Sequence, residues 1–239
     1  MCGIAGMFDR TRSRTQDALD DAVRRMAATL HHRGPDDRGH WADSASGVAL
    51  GHTRLSILDL SPNGHQPMLS AGGRFVMVFN GEIYNHQSLS RDLRAHGVAF
   101  RGHSDTEVLL SGFERWGLVP TLERAIGMFA IAVWDRQDRQ LHLARDRMGE
   151  KPLFYGWRGN TLVFGSELKA LRASPDWRGE VDPDALGRYL RLGYVPSPHS
   201  IYREIYKLTP GSVLSVSLDD QDAAAHFSPV GIAAATTFS

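Results

Sequence analysis

The 239-residue sequence has a single cysteine, no excess of either charge and no long apolar run. One thiol excludes an intrachain disulfide and makes a reducing compartment the expectation. Lys plus Arg and Asp plus Glu both number 27, giving a formal net charge of zero, and no dense Lys/Arg run occurs. That argues against a nucleic acid or an acidic membrane surface as partner, since either favours a basic patch. No stretch approaches the ~20 apolar residues that span a bilayer. Asp9 and Arg10 interrupt the N-terminal apolar run before a signal-peptide core can form. A cytoplasmic location is the default expectation. Internal repeats and long low-complexity tracts are missing too. What remains, 42% hydrophobic and 23% charged, is enough to bury a full core in one large domain or two small ones.

The patterning predicts a mixed protein of many short strands and several helices. Residues 2–8 read as a buried strand. Leu19, Val23, Met26 and Leu30, four, three and four apart, define one face of an amphipathic helix. "HHRGPDDRG" reads as a polar turn, "GVALGHTRLSILDL" as one or two strands, and "SPNGHQP" as a loop. "RFVMVFNGEIYN" suggests a strand that breaks at Asn80-Gly81. Leu89 and Leu93 suggest a short helix closed by Gly97. "SDTE" at 104–107 has the form of a capping box, Ser104 capping and Glu107 reaching back, before a helix that stops at Gly117. Two hairpins come next, turning at "RQDR" and at Arg158-Gly159-Asn160, then a helix in "DPDALGRYLRLG" and a last strand in "SVLSVSL". Residues 219–239 lack periodicity and read as a linker or the start of a further domain, leaving 1–218 as the folded unit.

The one cysteine stands directly behind Met1. A free thiol has a pKa near 8.5 and needs a base before it is a useful nucleophile. Methionine ahead of a small residue is normally trimmed, which would make Cys2 the first residue and its α-amine, with a pKa of about 7.7–8.0, the nearest base. The structural alternative is a small buried cysteine in a strand. "CGIAG", "HRGPD" (32–36), "GHTRLSILDL" (51–60), "NGEIYN" (80–85), "SDTE" (104–107), "RDRMGEKPLFYG" (145–156) and "GSELKAL" (165–171) occur in that order. Together they resemble the glutaminase domain of asparagine synthetases, class II glutamine amidotransferases of the N-terminal nucleophile superfamily, from Cys2 to about Leu218.

The resemblance implies an α+β fold: a four-layer αββα sandwich of two antiparallel sheets. It implies that Cys2 attacks the side-chain amide of L-glutamine, releasing ammonia and leaving a thioester that water hydrolyses to glutamate. It implies an oxyanion hole from the Asn80 side chain and the Gly81 backbone N–H, where glycine avoids crowding. Arg54 would clamp the substrate carboxylate with its bidentate fork. Backbone groups of Leu55, Ser56, Ile57 and Leu58 would line the same pocket. Asp105, helped by Glu82, would face the ammonium, and Arg33 would support the site. For Asn80-Gly81 the structural alternative is a turn, and for Asp105 a first-turn helix acid. Tyr84, Phe79 and Trp134 read as core or pocket wall. "RDRMGEKPLFYG" offers no obvious catalytic group and reads as shaping a strand pair beside the pocket.

No metal site is expected: His31, His32 and His40 lack a completing ligand set. No cofactor is expected in this chain, because ATP and Mg belong to the synthetase domain of the resembled family. That domain, with its SGGxDS-type loop, has no counterpart here. The partner would be a synthetase domain in a longer chain or a separate subunit, and a homodimer is compatible with the sequence. Two other readings stand beside this one: an inactive glutaminase-like docking module, and an amidotransferase whose acceptor is not aspartate.

Overall fold

The computed structural model describes residues 1–57 and 61–218, together with the backbone of Ala235–Thr237. Leu58, with the two residues after it, and the segment 219–234 lie outside the described residues. Among the described residues, twelve strands form two six-stranded antiparallel sheets. In the first, β2 (Asp37–Asp43), β3 (Val48–Arg54), β1 (Gly3–Asp9), β9 (Thr161–Gly165), β8 (Phe154–Arg158) and β10 (Ile205–Lys207) lie in that order. In the second the order is β4 (Met68–Leu69), β5 (Phe75–Ile83), β6 (Gly127–Asp135), β7 (Gln140–Arg145), β11 (Ser212–Ser217) and β12 (Ala235–Thr237).

Side-chain alternation along the strands builds three apolar layers. Ile4 and Phe8 of β1, Val48 and Leu50 of β3, and Val76 and Val78 of β5 meet Trp134 between the sheets. Ala5 and Met7, one residue out of phase, face the helix α1 (Gln16–Ala28) through Leu19, Val23 and Met26. Phe75, Met77 and Phe79 of β5 point the other way, towards α2 (His86–Ala95), α3 (Asp105–Trp116) and α4 (Leu118–Arg124). Helix α5 (Leu168–Arg172) packs beside α1, and α6 (Pro183–Leu192) contributes only Ala185 to the interior. The result is the expected αββα sandwich. No helix among the described residues is long and apolar enough to cross a membrane.

Several expectations need correction. The strand β5 does not break at Asn80-Gly81: both residues stay in register with β6, opposite Ala130 and Phe129, so no turn forms there. The last three residues of "HHRGPDDRG", Asp37 to Gly39, do not lie in the turn but open the edge strand β2, because pairing with β3 outweighs their turn-forming composition. Ser104 caps α3 by accepting the Glu107 N–H, but Glu107 reaches further back than a capping box, to the amides of Arg101 and Gly102. Tyr84 is neither core nor wall. It stands just beyond the last residue of β5 and is 58% exposed. The short elements α4, α5, β4 and β10 were not expected, and β12 comes after the strand read as the last.

One side chain ties the sheets together near one end. His52 of β3 is 1% exposed and its Nε2–H donates to the carbonyl of Phe79 in β5 at 3.1 Å. Burial pushes its pKa down to about 4, so it stays neutral in the folded state. Below the ordinary histidine pKa the unfolded chain takes up a proton that the folded chain refuses. Stability should therefore fall by about 1.4 kcal/mol per pH unit as pH drops from 6.5 towards 4. His142 is also pushed down to about 4 by burial and adds its own slope, so urea unfolding across that window should show a slope shallower by about 1.4 kcal/mol per pH unit in His52→Gln than in the wild type. Equal slopes would mean the imidazole is solvated.

Candidate active site

The site assembles at one end of the space between the sheets, and strand phase decides which residues reach it. Gly3 pairs with Thr53, which brings Cys2 alongside Arg54 where β1 and β3 end. Cys2 shares the inward phase of Ile4, Arg54 that of Leu50, and Asn80 that of Val78. These residues line one cleft with Leu55, Gly81, Glu82 and Asp105. With Met1 in place the cavity holds about 90 Å³, and Met1 is itself part of the wall.

The Cys2 sulfur accepts from the Leu55 N–H at 3.4 Å and lies 3.7 Å from the Leu55 carbonyl. Burial pushes the thiol pKa up, against the opposing pulls of the Leu55 amide, the N-terminal charge and Arg54. The thiol is therefore protonated at neutral pH and needs a proton acceptor to react. Arg33 donates from Nε to the Cys2 carbonyl at 2.9 Å. It grips the Cys2 backbone and stays off the cleft wall.

The edge of β5 supplies the other half. In an antiparallel ladder every second residue turns its N–H and C=O towards the same neighbour. Phe129 gives its N–H to the Asp146 carboxylate and its C=O to the Asp146 amide, both on the β7 side. Its partner Gly81 therefore points its own amide away from β6, as Phe79 and Ile83 do. Strand β4 ends before reaching this stretch, having paired only with Val76 and Met77. The Phe79 N–H is taken by Gln66 Oε1 at 2.6 Å, and the Ile83 N–H by Asp105 Oδ2 at 2.9 Å. The Gly81 amide between them faces the cleft. The Asn80 Nδ2 beside it is buried without a hydrogen-bond partner. Two donors aimed at one space, next to a sulfur, are what a developing oxyanion requires.

Arg54 is 9% exposed, donates to the Ser61 carbonyl at 3.3 Å, and lies flat on the backbone of Gly64. A Cβ there would fall 1.9 Å from its Nη2. Asp105 opens α3, accepts from the amides of Ile83 and Thr106, and has its pKa raised by burial, with Glu82 adding to the effect. A cation placed against Asp105 and Glu82 would reverse that cost. Ser56 turns away, its amide committed to Asp36 at 2.8 Å, whereas Ile57 reaches the cleft mouth.

Sequence reasoning missed Lys151, the only buried lysine among the described residues and part of the cleft wall. Its Nζ lies 3.4 Å from the Met1 sulfur. The loop carrying it folds around Asp146, whose carboxylate accepts from the amides of Phe129, Met148, Glu150 and Lys151. The sequence carries no signal of this, since "DRMGEK" has the composition of a solvated turn. His32 and His40 are engaged elsewhere, with Glu167 and with Arg24.

A family profile described as glutamine amidotransferase domain matches residues 1–227. "Asparagine synthetase [glutamine-hydrolyzing] 3" of Bacillus subtilis is 39% identical over 222 residues, which cover 92% of this chain and 35% of that protein. A "putative asparagine synthetase [glutamine-hydrolyzing]" of Mycobacterium tuberculosis is 40% identical over 233 residues, with the same two coverages. The chain thus spans about a third of the length of these curated relatives. Among solved structures, a glutamine phosphoribosylpyrophosphate amidotransferase from B. subtilis matches 90% of the chain with a TM-score of 0.64 at 20% identity, a likeness of fold.

Gly81 gives a direct test of the donor edge. A Cβ at this position would stand 2.2 Å from the Met128 carbonyl oxygen and 2.7 Å from the Phe129 Cα. The crowding comes from β6, so Gly81→Ala has to push the strands apart. A loss of about 3 kcal/mol is expected, which lowers the melting temperature by roughly 6–12 °C for a chain of this size. An unchanged melting temperature would show that β6 is not this close.

Proposed function

The chain belongs to the glutamine amidotransferase domain family, and from that premise we propose that Cys2, freed by removal of Met1, hydrolyses the side-chain amide of L-glutamine. The α-amine takes the Sγ proton and the sulfur attacks the amide carbon. The carbonyl oxygen becomes an oxyanion held by Asn80 Nδ2 and the Gly81 N–H. The ammonium so formed returns its proton to the amide nitrogen, the C–N bond breaks, and ammonia leaves a γ-glutamyl thioester. A water molecule, deprotonated by the same amine, adds to the thioester carbon. The second oxyanion collapses, releasing glutamate and restoring the thiol.

The observation that carries this reading is the pair of uncommitted donors on β5 facing the cleft that holds the only thiol. The raised thiol pKa supports it as well: burial keeps the sulfur protonated until a base acts. Arg54 holds the α-carboxylate, and Asp105 with Glu82 holds the α-ammonium, which selects a zwitterion over a bare amide. Residues 1–218 form the glutaminase unit, and 219–239 act as the linker to a further domain. The curated relatives, named asparagine synthetases and about three times as long, support a further step. The ammonia is handed to an ATP-dependent domain that forms asparagine or a related amide, in the same longer chain or a partner subunit.

Cys2→Ala should abolish glutamate production from glutamine while leaving the fold intact. A variant as active as the wild type would remove the nucleophile assignment. Intact mass of the active protein should correspond to a chain lacking Met1. Arg54→Ala should raise KM for glutamine by about 10–100-fold, the loss of a charge-assisted pair. An unchanged KM would place the carboxylate elsewhere.

A further inference from the structure

The motif "GSELKAL" is distant from the cleft wall, yet its first polar residues hold the nucleophile from behind. Ser166 is fully buried where β9 ends. Its hydroxyl accepts the Ile4 N–H at 3.0 Å and its own N–H donates to the Ile4 carbonyl at 2.8 Å. Glu167 stands at the N-cap position of α5 but its side chain does not cap that helix. Its Oε1 instead accepts from Arg33 Nη1 at 2.9 Å, and Arg33 Nε donates to the Cys2 carbonyl. His32 Nε2, 2.9 Å from Oε1, and Lys169 Nζ, 3.1 Å from Oε2, complete the surroundings of the carboxylate. Burial alone would raise its pKa, but the hydrogen bonds from Arg33, His32 and Lys169 outweigh that and hold it at about 2. The carboxylate is therefore charged at neutral pH.

We propose that Ser166 and Glu167 are positioning residues for the nucleophile, Glu167 fixing the Cys2 carbonyl through Arg33 and Ser166 fixing the peptide two residues on. The inference rests on Cys2 being the nucleophile and goes beyond it. An N-terminal residue has no preceding peptide plane to orient it, so the grip on its carbonyl carries more of the placement of its backbone. The carbonyl plane fixes the Cα–Cβ direction, the Leu55 N–H on Sγ fixes the rotation about it, and a displacement on the order of 1 Å at sulfur costs about a hundredfold in rate. Arg33 alone is a long, rotatable lever. The Glu167 carboxylate, taking Nη1, locks the guanidinium so that Nε stays on the Cys2 oxygen.

The test uses the full chain with Cys2→Ala as reference. Glu167→Gln keeps the volume and removes the charge. It should lower kcat at least tenfold and leave KM for glutamine within twofold, because Glu167 and Arg33 lie off the cleft wall to which Arg54 and Asp105 belong. Iodoacetamide should alkylate Cys2 in this variant at an altered rate, with the melting temperature little changed. Arg33→Gln should give a similar fall, and the double variant should be no worse than the worse single, since both remove one support. Ser166→Ala, judged by the same split between kcat and KM, is the second variant. Wild-type kcat in Glu167→Gln, or independent multiplicative effects in the double variant, would overturn the inference while Cys2→Ala remains inactive. An active Cys2→Ala would instead overturn the nucleophile itself.

Discussion

The pairing of Gly3 with Thr53 is the constraint on which the site depends. It brings two strands to a common end, so the residue before one and the last residue of the other emerge side by side. That is how a thiol and a guanidinium, 52 positions apart in the chain, come to share one cleft. The second sheet is tied to them by an imidazole: His52, between Thr53 and the core residue Leu50, reaches across to the Phe79 carbonyl. Phe79 precedes Asn80, so the bond that joins the sheets also sets the height of the donor edge relative to the sulfur. Apolar packing between the sheets supplies the cohesion, and this one directional contact supplies the alignment.

Burial sets the electrostatics of the cleft. The thiol and Asp105 both have raised pKa values for the same reason, loss of water. Asn80 Nδ2 is buried without a partner. The buried acid and the unpartnered amide are costs of the folded state, whereas the thiol, neutral at pH 7 whether folded or not, is not one. On the proposed reading a zwitterionic amide would answer both, its ammonium lying against the acid and its developing oxygen anion against the donors. Binding energy drawn from those relieved costs would be concentrated where charge develops, which favours catalysis over tight binding.

Much of the fold was legible in the sequence, and the failures have physical causes. Long elements with clear phase, such as α1 and the β6–β7 hairpin, were readable because their apolar residues repeat over many turns or pleats. The edge strand β2 was missed because "DRGHWAD" is half solvated and takes its extended form from β3. Asn80-Gly81 read as a break because both residues favour turns. Glycine is there for β6 to approach, a tertiary reason that local propensity cannot express. Cys2, Arg54, Asn80 and Asp105 were named from motif resemblance, and the structure brings them to one cleft. Lys151 went unnoticed because its loop resembles a surface turn, and its burial is a result of the inward-facing Asp146.

The alternation along β5 has a last consequence. Phe79, Gly81 and Ile83 send their amides outward because they are odd-numbered in one continuous ladder, and only the middle one is left unclaimed. Were one residue added inside the paired stretch between Phe75 and Asn80, with no bulge to absorb it, the row beyond it would invert. The open amide would be sewn into β6 and the Asn80 side chain would swing out to the helical layer. A residue added in the β4–β5 connection would leave that phase untouched, because the ladder with β6, and not the loop before it, decides which way each amide points.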